Sequence, residues 1–109
     1  MTVALIPAGQ NGERRYLIRV DGRHAGGITV HSARGDAFSY GIAVARKARR
    51  MGVASAALRE LFALMRAQGF TRAVVQVRED NAASLALHRK LGFRETLRED
   101  GVVTLERAL

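Results

Sequence analysis

The chain contains no cysteine and no tryptophan, and its one proline, Pro7, lies near the start. Without cysteine there is neither a disulfide nor a thiol nucleophile, so covalent catalysis through sulfur is excluded. His24, His31 and His88 are scattered without the spacing of metal ligands, so no metal site is expected. No apolar run approaches the roughly 20 residues that cross a bilayer, and no signal peptide is recognisable. We therefore expect a cytoplasmic protein that contacts no membrane.

Acidic residues are scarce relative to basic ones. The 109 residues include 18 lysines and arginines, 16 of them arginine, against 10 aspartates and glutamates, which gives a net charge of +8. The stretch between Asp36 and Glu60 has four arginines, one lysine and no acid. This length suits one domain over residues 1–109. The charge favours a polyanionic partner, which is a nucleic acid, a phosphorylated cofactor or an acidic surface.

The hydrophobic pattern predicts an α+β fold with a mixed, mainly antiparallel sheet and two main helices. Hairpin turns are expected at the Asp-Gly pairs of residues 21–22 and 100–101. A helix should join strands 38–44 and 73–78, which makes these two strands parallel. The other strands are predicted at residues 2–6, 16–20, 26–31, 93–97 and 102–105.

Two apolar stripes define the predicted helices. The first helix should run from Gly52 to a cap at Gly69, and the second from an N-cap at Asn81 to Gly92. The residues expected on the two apolar faces are Val53, Ala57, Leu61, Leu64 and Met65 in the first helix and Ala83, Leu87 and Leu91 in the second.

The segment ARKARRMGVASAAL, residues 45–58, places four cations and a glycine before the first helix. The first N–H groups of a helix lack internal partners and its dipole attracts anions, while glycine lets the backbone approach a pyrophosphate. A solvated basic turn explains the same residues. The segment lacks the Gly-Lys-Ser/Thr of a Walker loop and the further glycines of a dinucleotide fingerprint. From these residues alone, the anion site and the solvated turn both remain open.

RRMGVA and VREDNAASLALHRKLGF, residues 49–54 and 77–93, together resemble the two signature motifs of the GNAT family of N-acetyltransferases. RRMGVA, residues 49–54, resembles the family's Q/R-x-x-G-x-G/A motif and follows the strand IAV, residues 42–44. VREDNAASLALHRKLGF, residues 77–93, resembles the second part of the signature, which has a strand, an asparagine, a short helix and K-L-G-F. The motifs occur in the family's order and separation, so the chain resembles the family from about residue 16 to its C-terminus.

The resemblance implies the acyl-CoA N-acyltransferase fold, with acetyl-CoA as co-substrate and its pantetheine arm between splayed parallel strands. By similarity, strand backbone pairs with the pantetheine, amides at the helix start hold the pyrophosphate, and an asparagine lies beside the pantetheine. Asn81 is equally suited to a structural role as the N-cap of the helix. Arg89 and Lys90 could reach the phosphates of the nucleotide, although a solvated helix face also accounts for them. The implied cofactor-binding residues are Ile42, Ala43, Val44, Arg49, Arg50, Met51, Gly52, Val53, Ala54 and Asn81.

Acetyl transfer to an amine requires a proton for the leaving thiolate. Members of the family often supply it from a tyrosine seven residues after the asparagine, and this chain has His88 there. An imidazole, with an unperturbed pKa near 6.5, suits that task, although His88 could equally just border the apolar helix face. Where some relatives that acetylate protein N-termini carry a glutamate, this chain has Gln76, which accepts no proton. Water or His88 itself remains as a base.

About 15 residues precede Tyr16, too few for the two helices that usually follow the first strand in the family. Those helices wall the acceptor side, so we expect an open pocket that suits a large acceptor or is completed by a homodimer or a partner protein. The leading hypothesis is an N-acetyltransferase acting on an amine of a small molecule or protein. The alternatives are a non-catalytic acyl-CoA-binding module and a nucleic-acid binder. The last is disfavoured because no aromatic residue lies in residues 45–58 to stack on bases.

Overall fold

The computed structural model describes residues 1–49 and 52–109, and in these ranges seven strands form one sheet with two α-helices. The predicted α+β class is confirmed, and the element ends differ from the predicted ones by a few residues. A single 3₁₀ turn, Arg46–Ala48, precedes the first α-helix. The elements are β1 Val3–Pro7, β2 Arg14–Val20, β3 Arg23–Ser32, β4 Ala37–Val44, α1 Val53–Ala67, β5 Arg72–Arg78, α2 Ala82–Lys90, β6 Arg94–Glu99 and β7 Val102–Ala108.

The sheet has the order β1-β2-β3-β4-β5-β7-β6 and is antiparallel except where β4 meets β5. The hairpin turns form at the two predicted Asp-Gly pairs, where Asp21 and Gly22 have φ of 49° and 82° and Asp100 and Gly101 have 52° and 77°. Positive φ at both central residues matches the right-handed twist of the flanking strands. Residues 8–13, all of which the structure describes, connect β1 to β2 without a helix.

The parallel strands β4 and β5 are paired only where they begin. Ala37 lies opposite Arg72 and Phe38 lies opposite Ala73, and there the pairing stops. Beyond this point β4 stays paired with β3 as far as Val44, and β5 stays paired with β7. The predicted splayed central strands are thus confirmed. We call the space between residues 39–44 of β4 and residues 74–78 of β5 the strand gap.

Both helices pack on the same face of the sheet. The ring of Phe62 in α1 lies 6.4 Å from that of Phe38 and 6.0 Å from that of Tyr40, and His88 in α2 stacks on Tyr40 at 6.0 Å. Side chains alternate between faces along a strand, so the neighbours of these β4 residues point the other way. The opposite side, which no described helix covers, is the helix-free face. It carries Arg15, Leu17, Gly27, Thr29, Gly41 and Ala43.

The predicted apolar helix faces need correction at two residues, Leu64 and Ala83. Leu64 is 39% exposed, because it lies beside the edge strand β1, beyond which no described element covers it, while Leu58 and Phe62 fill the core. In α2, Ala83 is exposed because it borders a cavity beside the start of α1, whereas Leu87 is half-buried and packs against the core as predicted. The buried positions of α2 are Leu85 and His88, and Leu91 is buried just beyond its end.

In the described ranges no helix has the length and apolar character to cross a bilayer.

Candidate active site

Every second residue of β4 directs its backbone N–H and C=O groups toward the strand gap. Ala45 N–H donates to the Ala25 carbonyl of the β3 segment at 2.6 Å, so odd-numbered residues at this end of β4 bond to β3. Successive residues of an antiparallel strand direct their N–H and C=O groups to opposite sides. Ile42 and Val44 therefore direct theirs toward the gap. Ala43 opposes Gly27 in the register, and its backbone belongs to the set that bonds to β3.

The start of α1 lies at the open end of the gap. Gly52 precedes the helix with φ of 74°, a conformation that favours glycine, and a Cβ atom there would meet open space. The first helical hydrogen bond runs from the Ala56 N–H to the Gly52 carbonyl at 3.1 Å. The N–H groups of residues 53–55 thus have no acceptor within the helix, and no acidic side chain lies in this first turn. These donors and the helix dipole make the turn electropositive.

A cavity of about 430 Å³ joins the end of β4 to this helix start, and we call it the gap cavity. Of the predicted cofactor-binding residues, the cavity brings together Val44, Arg49, Gly52, Val53 and Ala54. Ile42 and Ala43 are not among its lining residues, and Arg50 and Met51 lie outside the residues that the structure describes. The remaining lining residues are Ala48, Ser55, Ala83 and Leu87.

Arg49 already interacts with the edge of the gap. Its Nε donates to the Val44 carbonyl at 3.2 Å, which satisfies a backbone acceptor that β5 does not reach. A polar ligand that pairs with Val44 has to displace this guanidinium or share the carbonyl with it.

Asn81 serves as the N-cap of α2, as one of its two predicted roles requires. Its Oδ1 accepts a hydrogen bond from the Ser84 N–H at 3.1 Å. Asn81 is exposed and is not among the residues that line the gap cavity. Its predicted place beside the pantetheine stays a prediction.

His88 is buried and is not among the residues that line the gap cavity. The residue is 4% exposed, its Nδ1 lies 2.8 Å from the Ser84 carbonyl oxygen, and its Nε2 lies 3.0 Å from the hydroxyl of Tyr40, itself 8% exposed. A carbonyl oxygen only accepts, so the proton of the neutral ring is on Nδ1, and Nε2 accepts from Tyr40. Burial lowers the pKa of His88, and the Ser84 carbonyl offsets part of this effect.

Tyr40 is the polar side chain near the site that the sequence pattern did not single out. Burial raises the pKa of its hydroxyl above the ordinary value, so Tyr40 is neutral and donates to His88. A buried tyrosine usually finds a hydrogen-bond partner, but the partner is 48 residues away in sequence and follows only from the packing of α2 on β4. Among the described residues, no cluster of histidine, aspartate and glutamate is arranged to hold a metal ion.

A second concavity of about 720 Å³ lies on the helix-free face, and we call it the helix-free groove. Val44 contributes to this groove and to the gap cavity, so the two spaces are neighbours at the end of β4. Gln76 alternates with the buried Val75 and Val77 and is exposed on this face, opposite Thr104. The other residues lining the groove are Arg15, Leu17, His24, Gly26, Gly27, Thr29, His31, Gly41, Ile42, Ala43 and Ala45.

Residues 4–93 match a family model described as the acetyltransferase (GNAT) family. A search of curated proteins finds no match. Among solved structures, the chain is similar to the ribosomal-protein-S18-alanine N-acetyltransferase from Escherichia coli, with a TM-score of 0.77, 22% identity, and coverage of 92% of this chain and 71% of that one.

Two further solved structures show the same likeness. An N-acetyltransferase from Staphylococcus aureus Mu50 has a TM-score of 0.77 and 26% identity, over 90% of this chain and 68% of that one. An acetyltransferase from Bacillus subtilis, solved in complex with CoA, has a TM-score of 0.79 and 17% identity, over 89% of this chain and 77% of that one. The order of strands and helices described above is therefore shared with these proteins.

The buried imidazole of His88 predicts an acid-sensitive fold. The unfolded chain binds a proton on His88 near the ordinary pKa of 6.5, whereas the folded chain binds it only at lower pH. The unfolded state therefore holds more protons in this window, and the free energy of unfolding should fall as the pH drops from about 7 to about 5. Urea unfolding at several pH values measures this dependence.

The control variant is His31→Gln, which removes an exposed imidazole instead of the buried one. His88→Gln should show a smaller fall in stability with acid than the wild type, and His31→Gln should follow the wild type. Equal pH dependence in His88→Gln and the wild type would show that His88 is not held neutral by its burial.

Proposed function

The chain belongs to the GNAT acetyltransferase family, and on that premise we propose that it moves the acetyl group of acetyl-CoA directly to an amine. The observation that carries the proposal is the gap cavity, where backbone groups that β5 leaves unpaired meet the N–H groups at the start of α1. The family uses acetyl-CoA, and the Bacillus subtilis relative was solved with CoA. We take the gap cavity as the place where this chain binds the same co-substrate.

The residues of the gap cavity, together with the adjoining edge of β4, fit the parts of acetyl-CoA in order. N–H groups of residues 53–55 suit the pyrophosphate, with Arg49 as an added cation. The backbone groups of Ile42 and Val44 suit the amides of the pantetheine, which would pair with β4 as an additional strand does. With the pyrophosphate at the start of α1 and the pantetheine paired along β4, the thioester lies further along β4, toward Tyr40.

The reaction needs one proton transfer besides the exchange of bonds. The amine nitrogen forms a bond to the acetyl carbon, the bond from that carbon to sulfur breaks, and one proton passes from nitrogen to the thiolate. The sequence has no cysteine to carry the acetyl group, so the amine attacks the thioester directly in a ternary complex. Positioning of the two reactants then supplies much of the rate.

We assign the proton transfer to His88. In its neutral form, with the proton on Nδ1, its Nε2 has a lone pair that can take the proton lost by the amine and return it to sulfur. The hydroxyl of Tyr40 occupies Nε2 at 3.0 Å and must release it during the reaction. Tyr40 is in this account a positioning residue that holds the imidazole against β4.

A non-catalytic acyl-CoA-binding module is the second candidate. It is favoured by Gln76, which replaces an acidic base, and by the hydrogen bonds that occupy both ring nitrogens of His88. Calorimetry that detects acetyl-CoA binding, combined with no thiol release over a broad panel of amines and peptides, would support this second function and overturn the first.

A carboxylate at the start of α1 should weaken CoA binding without weakening the helix. Ala54 lines the gap cavity in the first turn, so Ala54→Asp places a negative charge beside the proposed pyrophosphate position. The same charge stabilises a helix N-terminus by about 0.3–1 kcal/mol. We expect the Kd for CoA, measured by calorimetry, to rise about tenfold, or about 1.4 kcal/mol, while the melting temperature holds or rises.

Ala63→Asp is the matched control, because Ala63 is exposed on the same helix away from the gap cavity. It should leave the Kd for CoA at the wild-type value. If Ala54→Asp binds CoA as tightly as Ala63→Asp does, the pyrophosphate does not lie at the start of α1.

Removal of the His88 imidazole should reduce turnover. We expect His88→Ala to lower kcat by about 100-fold or more at neutral pH, the usual contribution of one acid–base group. Thiol release from acetyl-CoA measures kcat, and calorimetry with CoA checks that the variant still binds. Full turnover by His88→Ala near pH 7 would show that the catalytic assignment is wrong.

Tyr40→Phe is the companion variant, since it keeps the aromatic packing on Phe38 and Phe62 and removes only the hydroxyl. Loss of the hydroxyl frees Nε2 for the amine but also removes one contact that positions the imidazole, so kcat should stay within about tenfold of the wild type. A loss as large as that of His88→Ala would move the proton-transfer role to Tyr40.

A further inference from the structure

We propose that the helix-free groove binds the acceptor as an extended peptide with acidic side chains, so that the amine acetylated belongs to an acidic polypeptide segment. This inference rests on the proposed function and specifies its substrate class. It draws on three properties of the groove, which are its position, its floor and its charge.

The position of the groove allows an amine to meet the thioester. β4 forms a wall of both concavities, and Val44 lines the groove on one side of the sheet and the gap cavity on the other. Beyond Phe38 and Ala73, β4 and β5 are not paired, so no hydrogen bonds join the two strands there. We place the acetyl group of a co-substrate bound in the gap cavity at this unpaired stretch of β4, where an amine extending from the groove can reach both the thioester and His88.

The floor of the groove suits an extended backbone. Leu17 lies opposite Gly27, and Gly27 lies opposite Ala43, so one row across three strands ends in two small residues. The next row ends in Gly41, where a Cβ atom would meet nothing within 4 Å. These small residues leave the floor over β3 and β4 without large side chains, so an extended main chain can lie close to it.

The charge of the groove selects the side chains of that peptide. Arg15 lines the groove together with the imidazoles of His24 and His31, and Arg19 lies opposite His24 on the same face. No aspartate or glutamate lines the groove, and within the described ranges neither Arg15 nor Arg19 is in an ion pair. Two unpaired guanidinium groups favour carboxylates, which they can bind through two parallel hydrogen bonds.

The same features disfavour two other occupants. A second copy of the chain would bring like charges together, since its groove is basic and the whole chain carries a net charge of +8. A single-stranded nucleic acid gains much of its affinity from bases stacked on aromatic rings, and neither a phenylalanine nor a tyrosine lines the groove. The acidic peptide is the occupant that both the charge and the floor fit.

Peptide binding in the presence of CoA tests the inference without requiring turnover. The probes are two fluorescein-labelled peptides with a free N-terminus, one alternating glutamate and glycine and the other alternating lysine and glycine, titrated by fluorescence anisotropy. We expect the acidic peptide to bind at least about tenfold more tightly than the basic one. Equal or reversed affinities would overturn the inference.

Two variants then locate the binding. Arg15→Gln combined with Arg19→Gln should raise the Kd for the acidic peptide about tenfold, whereas Arg59→Gln combined with Arg66→Gln, on the exposed side of α1, should not change it. Gly41→Leu fills open space in the groove, so it should abolish peptide binding while the Kd for CoA and the melting temperature hold. Peptide binding that Gly41→Leu leaves intact would show that the groove is not the site.

The remaining outcomes separate this inference from the proposed function. Thiol release with small amines, without preference for the acidic peptide, would overturn the inference and keep the acetyltransferase. Binding of the acidic peptide without thiol release from any amine would overturn the acetyltransferase and keep the groove as a peptide site. A dimer in sedimentation that Gly41→Leu disrupts, or a single-stranded DNA that outcompetes the acidic peptide, would replace the peptide with that occupant.

Discussion

The whole arrangement depends on hydrogen bonds that β4 and β5 do not make with each other. Two residue pairs at their starts hold these parallel strands together, and beyond Phe38 and Ala73 the strands separate. Backbone groups left without partners are costly when buried, so the edge of β4 needs other polar groups at Ile42 and Val44. Arg49 satisfies the Val44 carbonyl. An opening in a sheet that has polar edges and a helix start at its mouth is suited to an anionic ligand with amide groups.

Most of the fold was predictable because its signals are local. The Asp-Gly turns, the glycines that follow both helices and the N-cap at Asn81 depend on residues close in sequence, and the structure has each of them. The parallel pairing followed from the helix that connects β4 to β5. The helix faces were less accurate, since the exposure of Leu64 and Ala83 depends on which element covers them, and that is a property of the assembled sheet.

The candidate site was predictable only in part. Motif order led to Val44, Arg49 and the start of α1, which line one cavity. The hydrogen bond between His88 and Tyr40 spans 48 residues and has no local signal, so the sequence drew attention to the imidazole and missed the hydroxyl. The helix-free groove likewise arises from register across three strands, which no single segment contains.

The most direct measurement is a crystal structure of the chain with CoA. We expect the pyrophosphate to accept hydrogen bonds from the N–H groups of Val53 and Ala54, the pantetheine to pair with the backbone of Ile42 and Val44, and β4 and β5 to remain apart. CoA bound in the helix-free groove, or a sheet in which β4 and β5 close on each other, would contradict this expectation.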